Sequence, residues 1–253
     1  MLQTEMVLTG EWLFRRRSYL PLLMLPVVAA AFREFTFPRG AWHLQEWWEL
    51  GCLLVSLLGI AVRVLVAGYA PAGTSGRNTR EGQVAADLNT TGAYAVVRHP
   101  LYLGNFLMWL GVALVPRSAW LVAVITLAYA LYYERIMLAE EKFLQQRFGD
   151  VFEQWASRTP AVVPRSGALR RAWRQPAVPF SWRTVLRREY SGVLAVAVLF
   201  AAAGTVANVA AAGRAGLQAV DTMDRTIFLL GTTVYVLLRT LKRRTRLLAV
   251  PGR

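Results

Sequence analysis

The sequence predicts an all-α integral membrane protein of about six transmembrane helices, built around a helical-hairpin core. Three observations point there. The 253 residues are 55% hydrophobic with a mean hydropathy of +0.36, high for a soluble domain. Apolar runs recur at 18–31, 50–70, 101–115, 119–133, 190–212 and 226–238, lengths that span a bilayer once flanking residues are added. Basic residues are also lopsided across the alternating loops. Of 29 Lys and Arg, 23 fall on the side that holds both termini, five on the other, and Arg63 inside the second run. That bias places both termini in the cytoplasm.

The first run follows Phe14-Arg15-Arg16-Arg17 and ends without a small-residue cleavage site, so it reads as a span and not a cleaved signal. The second run is followed by a polar cytoplasmic segment, 71–97, holding Gly73, Ser75, Gly76, Arg77, Asn78, Thr79 and Arg80. Runs three and four are separated only by Val115-Pro116-Arg117-Ser118, a turn that makes them a tight hairpin. No Gly or Pro interrupts 119–148, which predicts one long helix projecting past the membrane and ended by Gly149. Residues 159–179 are rich in Pro, Arg and Ala and read as a surface linker, and 201–212 is Ala/Gly-rich, suited to close helix packing. No repeat and no strand-rich domain is legible. The chain divides into N-terminal transmembrane helices (1–75), a core with a cofactor loop, hairpin and cytoplasmic helix extension (76–164), a basic linker (165–188), and two final transmembrane helices with a basic tail (189–253).

The net charge of +14 follows the predicted topology and suits anionic lipid headgroups, so no nucleic-acid partner is expected. Cys52 is the only cysteine. It permits no disulfide framework or cysteine metal site, and no metal-ligand cluster is apparent.

Chemistry concentrates in Thr90-Thr91-Gly92-Ala93-Tyr94-Ala95-Val96-Val97-Arg98-His99-Pro100-Leu101-Tyr102-Leu103-Gly104-Asn105. Pro100 suits the first position of a helix. Arg98 and His99 then stand at a helix N-terminus, where side-chain donors and backbone amides favour an anion. Gly104 and Gly111 share a face and permit close approach of a helix or a ligand. On the long helix Tyr129, Tyr133, Ile136 and Glu140 line one stripe, while Glu134, Leu138 and Glu141 line the next. The hairpin returns these carboxylates to the side where Arg98 and His99 sit.

This ordered set, followed by Phe148-Gly149, Phe152, Trp155 and Val163-Pro164, resembles the isoprenylcysteine carboxyl methyltransferases and the related phospholipid methyltransferases, integral-membrane enzymes that use S-adenosylmethionine. The likeness covers roughly residues 76–164. It implies that His99, Pro100, Leu101 and Tyr102 contact the methyl donor with Tyr94 nearby. Asp87, Leu88 and Asn89 lie in an upstream donor-binding stretch, and Glu140 holds the donor from the opposite helix. Gly104 is counted with this donor set, Arg98 with the donor's carboxylate, and Arg135 with a family arginine that precedes the glutamates. An amine or hydroxyl acceptor would lose its proton to Glu141, Glu134 or His99. A carboxylate or phosphate oxygen needs no base.

The expected activity is methyl transfer from S-adenosylmethionine to a membrane-embedded lipid or lipidated acceptor. The expected location is a bacterial inner membrane with the site facing the cytoplasm. No G-x-G-x-x-G follows a strand pattern, which excludes a soluble Rossmann enzyme. Two rivals are weighed: an NADPH-dependent membrane reductase of the steroid-reductase type, and a non-enzymatic membrane scaffold. The first would welcome Arg77 and Arg80 as phosphate partners. The second has no evident need for Arg98, His99 and Glu140 at one depth.

Overall fold

The computed structural model describes residues 1–17, 19–38, 42–71, 77–79, 82–167, 176, 178–217 and 222–250, and eight α-helices account for most of these described residues. The helices are α1 (Leu2–Arg16), α2 (Leu25–Ala31), α3 (Trp42–Gly68), α4 (Pro100–Leu114), α5 (Ala119–Phe148), α6 (Asp150–Arg158), α7 (Trp182–Ala212) and α8 (Thr222–Arg244). Among the described residues, three helices are long and apolar enough to cross a membrane: 43–68, 119–148 and 182–217. α4 is apolar but has only 15 residues. Leu54, Leu58, Leu127, Leu131, Leu229 and Leu237 face outward, while Glu49, Ser56, His99, Glu189 and Asp224 are buried. An apolar exterior around a partly polar interior suits a bilayer and not water.

The first predicted span is not one continuous helix. It forms a 3-10 turn (Leu20–Met24), the short α2 and a second 3-10 turn (Phe32–Glu34). Pro21 and Pro26 break it, because each lacks the N–H that an uninterrupted helix would donate. The segment nevertheless runs the length of the bundle. Arg17 lies by Tyr102 and Glu140 at one end; at the other, Arg117 donates to the Thr36 carbonyl. α1 precedes it and packs along α5, with Phe14 buried against Tyr102, Tyr133 and Ile136.

α5 has the predicted bounds. Ser118 caps its start by accepting from the Leu121 amide. Gly149 ends it at φ 51°, donating to Gln145 O at 2.9 Å, a left-handed backbone that glycine adopts without a Cβ penalty. The turn before α5 is tied to α3: Trp48 Nε1 donates to Leu114 O at 2.9 Å and Gln45 Nε2 to Val115 O at 3.3 Å. At the opposite end Ser181 N donates to Gly68 O at 3.0 Å. That bond sets the start of α7 beside the end of α3.

Where a loop was expected over 71–97, Arg77–Thr79 (β1) and Gly82–Val84 (β2) form a small antiparallel hairpin in which Arg77 pairs with Val84. Three-residue strands are too short to leave an alternating pattern in sequence. Ser18, Arg39, 73–76, Arg80, and 168–175 and 177 of the linker lie outside the described residues.

α3 and α4 cross closely. A Cβ on Gly104 would lie 2.9 Å from Gly59 O, and one on Gly111 only 2.1 Å from Ser56 Oγ. Ser56 Oγ donates to Met108 O at 2.9 Å across the same contact. Gly111→Leu is therefore expected to destabilise the detergent-solubilised protein by about 1–3 kcal/mol. Gly51→Ala, inside the crossing helix with nothing within 4 Å, should not lower the thermal midpoint, since Ala favours a helix over Gly. Equal midpoints for both variants would contradict the crossing.

Candidate functional site

The start of α4 is set by local chemistry. His99 precedes a proline, which disfavours helical backbone at His99, and Pro100 occupies the first turn of α4. The Arg98 and His99 amides turn outward to donate to Pro160 O at 2.9 Å and Ala161 O at 3.0 Å. The post-α6 segment is thus paired beside the entrance of α4.

Both side chains find carboxylates on α5. Arg98 Nε lies 2.7 Å from Glu141 Oε1, and Nη2 lies 3.3 Å from Oε2, a two-pronged pairing. Arg98 Nη1 also donates to Ala156 O at 3.0 Å and to Thr159 O, at the C-terminal end of α6, where a cation is favoured. His99 Nε2 is 2.9 Å from Glu141 Oε1, and Nδ1 is 3.5 Å from Glu140 Oε2. Burial by itself lowers the His99 pKa; hydrogen bonds and charge from Glu140 and Glu141 outweigh it and hold the value above the ordinary 6.5. His99 also stacks on Tyr102, ring centres 5.6 Å apart. The anion expected for Arg98 and His99 is supplied by the chain itself.

Above this knot opens a cavity of about 400 Å³, within the range of roughly 300–1,000 Å³ for small-molecule sites. Asp87, Leu88, Asn89, Tyr94, Arg98, His99, Pro100, Leu101, Tyr102, Glu140 and Glu141 all line it. Asn89 is preset by its own turn, its Oδ1 accepting from the Thr91 amide at 3.1 Å. Trp155 closes the α6 side, its Nε1 donating to Tyr94 O at 3.2 Å. Burial pushes the Tyr94 phenol well up, with Glu140 adding to the effect, so it stays a neutral hydrogen-bonding group.

Two predicted residues lie off the cavity. Gly104 sits in the α3–α4 crossing. Arg135 donates to Leu131 O at 3.1 Å within α5, while its own carbonyl meets α1 at Gly10. Glu134 is exposed on the outer face of α5.

Four polar lining residues were not singled out from sequence in this role: Arg17, Arg63, Asn105 and Tyr133. Arg17 arrives from the end of α1, with Nη1 3.5 Å from Tyr102 Oη and 3.7 Å from Glu140 Oε1. An arginine in an apolar run, as at 63, was itself a legible signal.

Two apolar cavities adjoin the polar one. One, of about 140 Å³, shares Pro100 with it and lies among Val62, Leu65, Tyr69, Val97 and Leu103. The other, of about 210 Å³, shares Tyr133 and lies among Leu13, Leu23, Trp109 and Ile125. Among the described residues, no group of three or more His, Cys, Asp or Glu is placed to hold a metal ion.

Residues 48–151, the stretch that builds the knot and most of the cavity, match the phospholipid methyltransferase family. The protein-S-isoprenylcysteine O-methyltransferase B of Arabidopsis thaliana is 40% identical over 154 residues, covering 56% of this chain and 72% of that protein. A nickel-cobalt-cadmium resistance protein of Alcaligenes xylosoxydans xylosoxydans is 34% identical over 126 residues, 50% of this chain and 56% of its own length. A cobalt-zinc-cadmium resistance protein of Cupriavidus metallidurans is 31% identical over 144 residues, 57% of this chain and 63% of its own. The chain thus spans less than two thirds of those two resistance proteins. No solved structure matches. With this coverage and these residues, the chain belongs to the membrane methyltransferase family that unites the isoprenylcysteine and phospholipid enzymes.

Because the folded-state pKa of His99 is raised, its ion pairing stabilises the fold fully below pH 6.5 and is lost as pH rises through the elevated value. The thermal midpoint should therefore fall as pH rises above 6.5, and His99→Gln should flatten that slope. A slope unchanged in the variant would show that His99 is not held charged by the two glutamates.

Proposed function

We propose that this protein transfers a methyl group from S-adenosylmethionine to a membrane-embedded lipid or lipidated acceptor bearing a carboxylate, phosphate or amine. The observation that carries the reading is the convergence of Asp87, Asn89, Tyr94, His99 and Glu140 on one cavity beside two apolar ones. The donor has a carboxylate, an ammonium, ribose hydroxyls, a purine and a sulfonium. The lining fits that set: carboxylates of Asp87 and Glu140 for cation and hydroxyls, the Asn89 amide for polar edges, and the rings of Tyr94, Tyr102 and Trp155 for flat apolar surface. When bound, the donor supplies an already activated methyl.

What remains for the protein is placement and dryness. His99 and Tyr102 form one stacked wall, and Glu140 faces it from α5. Phe143, Leu144 and Phe152 add apolar surface to the cavity lining and exclude water. Arg98 is bound both to Glu141 and to α6, so the pair holds the wall in place. Transfer to an anionic oxygen forms one C–O bond as one S–C bond breaks, the electron pair staying on sulfur, and no proton has to leave. An acyl or prenyl chain on the acceptor fits the neighbouring apolar cavities.

The proposed topology has six membrane passages, with α2 and its flanking turns, α4 and α8 completing those of α3, α5 and α7. Both termini and the donor cavity face the cytoplasm of a bacterial inner membrane, as the basic-residue bias supports.

Isothermal calorimetry in detergent tests the donor assignment. S-adenosylhomocysteine should bind the parent, about tenfold or more weaker in His99→Ala and Glu140→Gln, since each removes a polar contact worth ~1–3 kcal/mol in a buried site. NADPH should not bind. Undiminished S-adenosylhomocysteine affinity in both well-folded variants would remove these residues from the donor site.

A further inference from the structure

Arg63 sits in α3, five residues before that helix ends at Gly68. Its Nε lies 2.6 Å from Glu189 Oε2 and its Nη2 3.2 Å from Glu189 Oε1, while Nη1 donates to Asn105 Oδ1. Glu189 belongs to α7 and Asn105 to α4, so one guanidinium joins three helices. The Tyr129 and Tyr133 rings stack with centres 4.2 Å apart, and Tyr129 Oη donates to Tyr102 O at 2.7 Å. A polar link therefore runs from Glu189 of α7, outside the family-matched residues 48–151, through Arg63 to Asn105 on the cavity wall.

Arg63, Asn105 and Tyr133 all line that cavity. Asn105 is six residues beyond His99 along α4, which places it about 9 Å deeper at 1.5 Å per residue. The cavity is thus polar at two levels. Asp87, Asn89, His99 and Glu140 serve the upper one; Arg63, Asn105 and Tyr133 serve the lower one, toward the membrane. That lower level is the one a membrane-embedded acceptor would meet first.

Stability alone gives little reason for this pair, since a buried ion pair is commonly no better than apolar residues of equal volume. Its geometry suits recognition instead. The contacts above use three of the five guanidinium N–H groups, and the Arg63 side chain lines the cavity and stays 21% exposed. Glu189 fixes the fork and balances its charge, so a bound oxygen is oriented by hydrogen bonds without being fully neutralised as a nucleophile. The space for this also depends on Gly104: a Cβ there would lie 2.8 Å from Arg63 Cγ. Gly104, off the cavity itself, leaves room for the arginine stem.

We propose that Arg63, oriented by Glu189 of α7 and Asn105 of α4, recognises an anionic oxygen of a membrane-embedded acceptor, which makes the C-terminal helix pair part of the active site. This rests on the methyl-transfer reading and narrows it to a carboxylate or phosphate acceptor.

The test uses the full chain in phosphatidylcholine nanodiscs, with binding measured calorimetrically with and without S-adenosylhomocysteine. Probes are N-acetyl-S-farnesylcysteine against its methyl ester, and phosphatidic acid against diacylglycerol. The parent should bind at least one anion about tenfold more tightly than its neutral counterpart, as expected for a guanidinium fork on an oxyanion. The pair that shows the preference identifies carboxylate or phosphate. Glu189→Gln, which keeps the arginine, should retain the preference. Arg63→Gln combined with Glu189→Gln removes both charges together and should abolish it. If that double variant fails to fold, Arg63→Lys keeps the charge without the fork and should cut the preference severalfold. A preference that survives loss of the arginine or its fork, or no preference in the parent for either pair, overturns the proposal. Absence of S-adenosylhomocysteine binding in the parent strikes the donor reading instead, and leaves the anion-to-neutral ratio to judge Arg63 independently.

Discussion

The structure depends on a pair of carboxylates meeting an arginine and a histidine across the α4–α5 hairpin. Glu141 receives both the Arg98 guanidinium and His99 Nε2, and Glu140 lies by the other ring nitrogen, Nδ1. Removing any one leaves a partly buried charge without its partner, which is far costlier than never having built the pair. The same contacts aim the start of α4 at the C-terminal third of α5, hold the C-terminal end of α6 through Arg98, and leave His99 and Glu140 facing one cavity. Fold and site therefore share a single set of interactions.

Around that knot the bundle is assembled by close approach. Gly104 and Gly111 let α3 and α4 touch almost backbone to backbone, as suits helices in lipid, where apolar burial between helices gains little over contact with acyl chains. Buried polar groups do the fastening instead: Ser56 to Met108 O, Gln45 to Val115 O, Arg63 to Glu189 and Asn105. The segment from Arg17 to Thr36 ties the two ends of the bundle together.

Much of this was legible in the sequence because local rules dominated locally. The 30-residue α5 was bounded by Ser118 and Gly149, and the Arg-His-Pro start of α4 by proline chemistry. The stripe Tyr129–Tyr133–Ile136–Glu140 followed from helical periodicity, and the Tyr129 and Tyr133 rings lie 4.2 Å apart. Other features were settled by partners that sequence distance hides. Arg98 looked available to a ligand, yet its contacts come from residues 141, 156 and 159. α1 has a polar character that masks its packing along α5. Glu189, 126 positions from Arg63, leaves no local mark at all. Pro21 and Pro26 were visible, but the hydropathy of their run outweighed them in a window average. The expected six passages rest on that same average, and three helices meet the length and hydropathy that a passage demands.

The knot at Arg98, His99, Glu140 and Glu141 shapes the cavity beside it. Amide hydrogen exchange of the detergent-solubilised protein, with and without S-adenosylhomocysteine, tests it most directly. The Arg98 and His99 amides bond to Pro160 and Ala161 carbonyls beside the cavity, so ligand should slow exchange at 87–102 and 140–161 together. Protection confined to other segments, or ligand binding with no change at these two, would contradict the account.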